Sequence, residues 1–127
     1  MIAADTSSWV AFLSGAAGDD VLLLKQALQD RQLLMVPMVL TELLSDPQLP
    51  SNVAASLAAV PLLALPTGFW ERAGALRARV LAKRRRARLA DALIAQTCLD
   101  AGVALITRDR DFRAFAQAAS LHLALPL

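Results

Sequence analysis

Gly102-Val103-Ala104-Leu105-Ile106-Thr107-Arg108-Asp109-Arg110-Asp111-Phe112 is the stretch that decides how this chain folds. Gly102 is well placed to end a helix running from Asp91, since glycine takes the left-handed C-terminal conformation without a Cβ penalty. Val103 to Ile106 is an apolar run of the length expected for a strand buried on both faces. Polar residues follow at once. Phe112, Phe115, Ala116 and Ala119 then fall at helical spacing. A helix, a strand, an acid-bearing loop and another helix in direct succession point to an α/β protein with parallel strands.

The same alternation extends along the rest of the sequence. Met1 to Ala4, Leu33 to Val36, Leu62 to Leu65 and Leu121 to Ala124 read as further short strands. A helix is expected near Trp9, and others over Asp19 to Asp30, Met38 to Ser45, Trp70 to Lys83 and Asp91 to Asp100. Asp46-Pro47 and Pro50-Ser51-Asn52 mark a turn. The expected architecture is a three-layer α/β/α sandwich around a mainly parallel sheet of four or five strands, one domain over residues 1–127.

Composition narrows the class. The lone Cys98 cannot form an internal disulfide, and with His122 as the only histidine there is no zinc-ligand spacing. No apolar run approaches the roughly 18 residues needed to span a bilayer, and Asp5 interrupts the first one too early for a signal peptide. A cytoplasmic protein without membrane association is expected. Hydrophobic residues make up 57% of the chain. Either surplus apolar surface meets a partner, or the excess reflects an alanine- and leucine-rich proteome. Net charge is only +2, but Lys83, Arg84, Arg85, Arg86 and Arg88 gather just before Asp91.

Four acids sit in apolar surroundings: Asp5, Glu42, Asp91 and Asp109. Carboxylates resist burial unless a cation or strong hydrogen bonds compensate, so acids set beside core segments are expected to converge on one site. In a parallel sheet that site lies beyond the carboxyl ends of the strands, where Asp5 and Asp109 both fall. Each acid also has a plainer role. Asp5 could cap the helix near Trp9, and either Asp109 or Asp111 could cap the helix of Phe112. Only one of that pair, preferably Asp109, is expected to serve chemistry. Glu42 lies opposite the stripe of Leu40, Leu43 and Leu44, which by itself suggests solvent exposure. Asp91 is stronger, because Ile94, Ala95 and Cys98 share its helix face.

Taken in order, Asp5-Thr6-Ser7, Val36-Pro37 with Glu42, Leu89-Ala90-Asp91-Ala92-Leu93-Ile94-Ala95 and Leu105 to Phe112 resemble the PIN-domain family, specifically its VapC-type toxins. The resemblance covers essentially the whole chain. It implies a PIN-like sandwich and a Mg²⁺- or Mn²⁺-dependent endoribonuclease leaving 5′-phosphate and 3′-hydroxyl ends. The metal and catalytic residues would be Asp5, Glu42, Asp91 and Asp109, with Ser7 and Thr107 in support. It further implies a homodimer and a VapB-type antitoxin seated in an apolar groove around the Trp9 helix and Leu40 to Leu57, with DNA bound only through the antitoxin complex. One departure concerns the third acid. The family often places a glycine-containing loop before it, whereas here the basic run reaches almost to Asp91.

The chemistry is sound without the resemblance. Phosphodiester hydrolysis needs an activated water and neutralisation of developing negative charge, and oxygen-ligated hard cations provide both. A polyanionic RNA also needs positive charge around an acidic pocket, for which Arg84, Arg85, Arg86, Arg88, Arg108 and Arg110 are candidates. The basic run could equally be a solvated helix end. Receiver-domain and haloacid-dehalogenase patterns fit less well, since Thr6-Ser7 follows Asp5 where those folds want a further acid. The alternative from another class is a catalytically weak PIN-like module that binds RNA or protein.

Overall fold

A computed structural model describes residues 1–127. In chain order the elements are β1 (Ile2–Ala4), α1 (Thr6–Leu13), α2 (Asp19–Gln29), β2 (Leu33–Leu34), α3 (Pro37–Leu44), α4 (Ser51–Ala58), α5 (Phe69–Ala82), α6 (Leu89–Ala101), β3 (Ala104–Ile106) and α7 (Phe112–Ala119). The strands pair in the order β2-β1-β3, both pairings parallel, with Ile2 opposite Leu33 and Ala104, and Ala4 opposite Ile106. The arrangement is an α/β sandwich around a parallel sheet.

The sheet has three regular strands rather than four or five. The two outer segments are reduced to single parallel bridges, Leu62 beside Met35 and Leu123 beside Leu105. Proline explains both. Met35 donates to the Pro61 carbonyl at 2.7 Å and Leu63 donates back to Met35 at 2.9 Å, but Pro61 has no N–H to extend the ladder and Pro66 follows. At the other edge Leu105 donates to the His122 carbonyl at 2.9 Å and Ala124 donates to Leu105 at 2.8 Å, after which the chain reaches Pro126. The positions expected for strands are therefore beside the sheet, but one rung wide. β2 is also shortened, because Pro37 opens α3 at once.

β1 occupies the centre, and its Ala3 and Ala4 are fully buried. Small side chains here let helices approach the sheet closely, and larger residues fill the space around them. One cluster of 25 buried residues runs from Trp9 and Leu24 through Met35 and Leu76 to Phe112 and Phe115. Trp70, by contrast, is 61% exposed. Cys98 is wholly buried, which pushes its thiol up to about 12 and makes it a packing residue. Gly102 ends α6 in the left-handed conformation at φ 65°. α5 and α6 pack together, joined by the basic segment before Leu89. Arg77 Nε secures that segment on the Ala87 carbonyl at 2.8 Å, while Arg72 clasps Asp100 at 3.0 and 2.6 Å at the opposite end. No helix is long and apolar enough to cross a membrane.

Candidate metal centre

The two central strands end side by side, and this register creates the site. Asp5 donates its N–H to the Ile106 carbonyl at 3.0 Å, carrying the β1–β3 ladder one residue past the strands and setting Asp5 against Thr107. Asp5 is 3% exposed. It accepts from the Ser8 N–H at 3.1 Å, which makes it the N-cap of α1, and from the Ser7 hydroxyl at 2.8 and 2.9 Å. Burial raises its pKa above the ordinary carboxylate value, against the lowering effect of hydrogen bonds from Ser8, Ser7 and Thr107; the Asp109 charge raises it further. Capping and site placement thus coexist in one side chain.

Asp91 lies in the first turn of α6, half-buried, with Ile94, Ala95 and Cys98 on its buried side. Its Oδ2 atom is buried and has no hydrogen-bond partner. Burial is the main cause that lifts this carboxyl to about 6, followed by the charges of Asp109 and Asp5; Arg88 opposes them. Asp109 sits in the loop after β3. Its N–H donates to Thr107 Oγ1 at 2.9 Å, and its Oδ1 accepts from the Asp111 N–H at 2.9 Å. Asp109 therefore satisfies an orphan amide at the start of α7, while Asp111 holds the N-cap position without a side-chain capping bond.

Asp91, Asp109 and Asp111 each bring one carboxylate oxygen within 4.8 Å of the others. Asp5 borders this trio: the Asp109 charge acts on Asp5, and the Asp5 charge acts on Asp91. Glu42 stands apart. It is exposed on α3 and accepts from the Thr6 hydroxyl at 2.6 Å, one residue along from Asp5. Of the acids singled out in the sequence, Asp91 and Asp109 join the trio, Asp5 borders it, and Glu42 reaches only the neighbouring helix start. Asp111 is the member that sequence reasoning set aside, because a capping role accounts equally well for an acid before Phe112.

A hard cation fits this donor set. The donors are carboxylate oxygens, the preferred ligands of Mg²⁺ and Mn²⁺. A buried carboxylate oxygen without a partner is costly unless something neutralises it, and Asp91 Oδ2 is such an atom.

The basic residues divide. Arg86 reaches Asp111 at 3.8 Å, Arg85 donates to Gln117 at 3.1 Å, and Arg84, Arg88 and Arg110 are exposed. Arg108 is engaged elsewhere: it forks onto Asp20 of α2, with Nε to Oδ2 at 2.8 Å and Nη2 to Oδ1 at 2.9 Å. Asp20 was not singled out in the sequence, where Asp19-Asp20 reads as ordinary first-turn acid on a helix.

Carboxylates collected at the carboxyl edge of a parallel sheet define an α/β protein with an acidic centre. The PIN domain model matches residues 2–118, and the chain belongs to the PIN domain family. No curated protein matches the sequence. PIN domains are generally metal-dependent nucleases.

Proposed function

We propose that this protein is a Mg²⁺- or Mn²⁺-dependent endoribonuclease acting as the toxin of a VapBC-type toxin–antitoxin pair. The observation that carries the nuclease reading is the approach of Asp91, Asp109 and Asp111 within 4.8 Å, with Asp91 Oδ2 buried and unpartnered. Asp5, Asp91 and Asp109 are assigned to the metal, directly or through water, and Asp111 joins them on geometry. Glu42 completes the outer wall or orients the attacking water from the Thr6 side. Ser7 fixes the Asp5 carboxylate, and Thr107 holds the Asp109 amide.

When bound, the cation would supply charge neutralisation at a phosphoryl oxygen and lower the pKa of the water that attacks the phosphorus. The protein's own residues do the rest. Asp109 is pinned through its Oδ1 by the Asp111 N–H. Arg84, Arg85, Arg86, Arg88 and Arg110 offset the acidic pocket as the RNA backbone approaches. Arg108 contributes less directly, since its guanidinium is bound to Asp20.

Partners follow the same reading. A cleft of about 370 Å³ between α1, α3 and α4 is lined by Val10, Leu13, Leu43, Leu49 and Val53, with Glu42 and Asp46 at its polar end. A second of about 220 Å³, sharing Leu13 and Val53, reaches Trp9 and Leu57. This pair of apolar clefts suits a VapB-type antitoxin segment. The active form is a homodimer.

Incubating total RNA with purified protein and Mg²⁺ or Mn²⁺ tests the proposal, with Asp5→Asn and Asp91→Asn as controls. Cleavage by the native protein alone supports it. Equal cutting by all three samples assigns the activity to a contaminant or another site, and absence of cutting under every metal favours the binding-module alternative.

A further inference from the structure

We infer that Asp20 and Arg108 form a positioning clamp for the acidic centre, fixing the loop that carries Asp109 and Asp111. Arg108 stands between Thr107 and Asp109, two residues whose atoms belong to the site. Its guanidinium makes both arms of a bidentate pair with Asp20, and Nη2 also donates to the Ala17 carbonyl at 3.0 Å. Such a fork fixes direction as well as distance, which a single ammonium contact cannot do.

Asp20 is itself held from the far side. The Ser8 hydroxyl donates to its Oδ2 at 2.8 Å, and Ser8 is wholly buried in α1, one residue from Ser7 and three from Asp5, whose carboxylate accepts from the Ser8 N–H. The network therefore runs from Asp5 through Ser8 and Asp20 to Arg108, ending on the backbone between Thr107 and Asp109. α1, α2 and the loop after β3 are locked together by polar contacts rather than by core packing alone.

Gly18 is shaped to this pair. A Cβ there would lie 2.5 Å from Asp20 Oδ1 and 2.7 Å from Arg108 Nη2, and the residue has φ +149°, which favours glycine. The Asp20 carboxyl, 8% exposed under the Arg108 guanidinium, is held down at about 2, chiefly by the hydrogen bonds from Arg108. Both of its oxygens are taken by the guanidinium, which separates it from Asp91, whose Oδ2 has no partner.

The role resembles that of outer-shell partners in metal sites, whose loss typically weakens metal affinity about 10- to 100-fold. The test compares Asp20→Asn, Arg108→Gln and Arg108→Lys with the native chain, at a temperature where circular dichroism shows all four fully folded. Amide hydrogen exchange without metal is read at Asp109 and Asp111, with Leu76 and Val80 of α5 as internal references. Exchange at the two loop amides is expected to rise about tenfold or more in Asp20→Asn and Arg108→Gln while α5 is unchanged, with Arg108→Lys between them. Mn²⁺ affinity, measured with the metal alone, is expected to fall in the same order by about tenfold or more.

Unchanged loop exchange, or a rise shared equally by α5, overturns the clamp and leaves an ordinary stabilising ion pair. The affinity measurement rests on the metal reading above, whereas the exchange measurement does not. A native protein that binds no Mn²⁺ would defeat the metal reading and still let exchange decide the clamp.

Discussion

Asp91 is held under electrostatic tension by burial and by the charges of Asp109 and Asp5. Its folded pKa of about 6 exceeds the ordinary 3.8, so the folded state holds this proton more tightly than the unfolded chain does. Stability from this group is then fully present below pH 3.8, declines as pH rises from there to about 6, and is flat above. The melting temperature of metal-free protein should fall across that window, and Asp91→Asn should flatten the fall. At neutral pH the same substitution should stabilise the metal-free fold by about 1–2 kcal/mol, after discounting for partial solvent exposure, while removing metal binding. Thermal melts from pH 3.5 to 7.5, with and without Mn²⁺, check both. Asp20 acts with the opposite sign. Its lowered value means stability present above about 3.8 and lost as pH falls toward about 2, so Asp20→Asn should be less stable than the native chain at neutral pH, with the difference shrinking as pH falls toward about 2.

Residues of this kind were unequally legible in the sequence. Asp5 and Asp91 stood out because apolar neighbours surround each of them, and the structure gives both raised pKa values from burial. Asp111 was hidden by an equally good capping reading, and the cap bond in fact comes from Asp109. Asp20 and Arg108 were opaque for another reason. Their bond joins positions far apart in sequence, and neither local pattern differs from an ordinary helix start or a solvated arginine.

At the scale of elements, most helices were easier to read than strands, the exception being α4, which starts at Ser51 where Pro50-Ser51-Asn52 reads as a turn. Periodic apolar stripes fix a helix within a residue or two, as in Asp19–Gln29 and Leu89–Ala101. An apolar run beside proline reads as a strand, but whether it makes a ladder or one rung depends on which backbone donors remain; Leu62 and Leu123 make one rung each. Gly102 is a position where the fold can be perturbed apart from the site. A Cβ added there meets nothing within 4 Å, so Gly102→Ala should cost about 1 kcal/mol from left-handed backbone strain alone. Chemical denaturation should show that loss, with Mn²⁺ affinity unchanged.

On the scale of the whole molecule, opposed charges meet at one rim. Arg84, Arg85, Arg86 and Arg88 are exposed; Arg86 reaches Asp111 at 3.8 Å and the Arg88 charge acts on Asp91. Replacing Arg84 and Arg85 with glutamine should weaken RNA binding and reduce the salt slope by about one to two, while leaving the metal site intact. Filter binding across a range of KCl concentrations checks this. Core damage should look different: Leu76→Ala, deep in α5, should cost about 2–5 kcal/mol of stability, with cleavage by the remaining folded fraction preserved.

The hold of these acids on a hard ion is open to direct calorimetry. Titrating Mn²⁺ into metal-free protein at pH 7.5 should give saturable binding that weakens below pH about 6, as Asp91 takes up its proton, and that vanishes in Asp91→Asn. Binding of equal strength in the native protein and Asp91→Asn, or no binding in either, would contradict it.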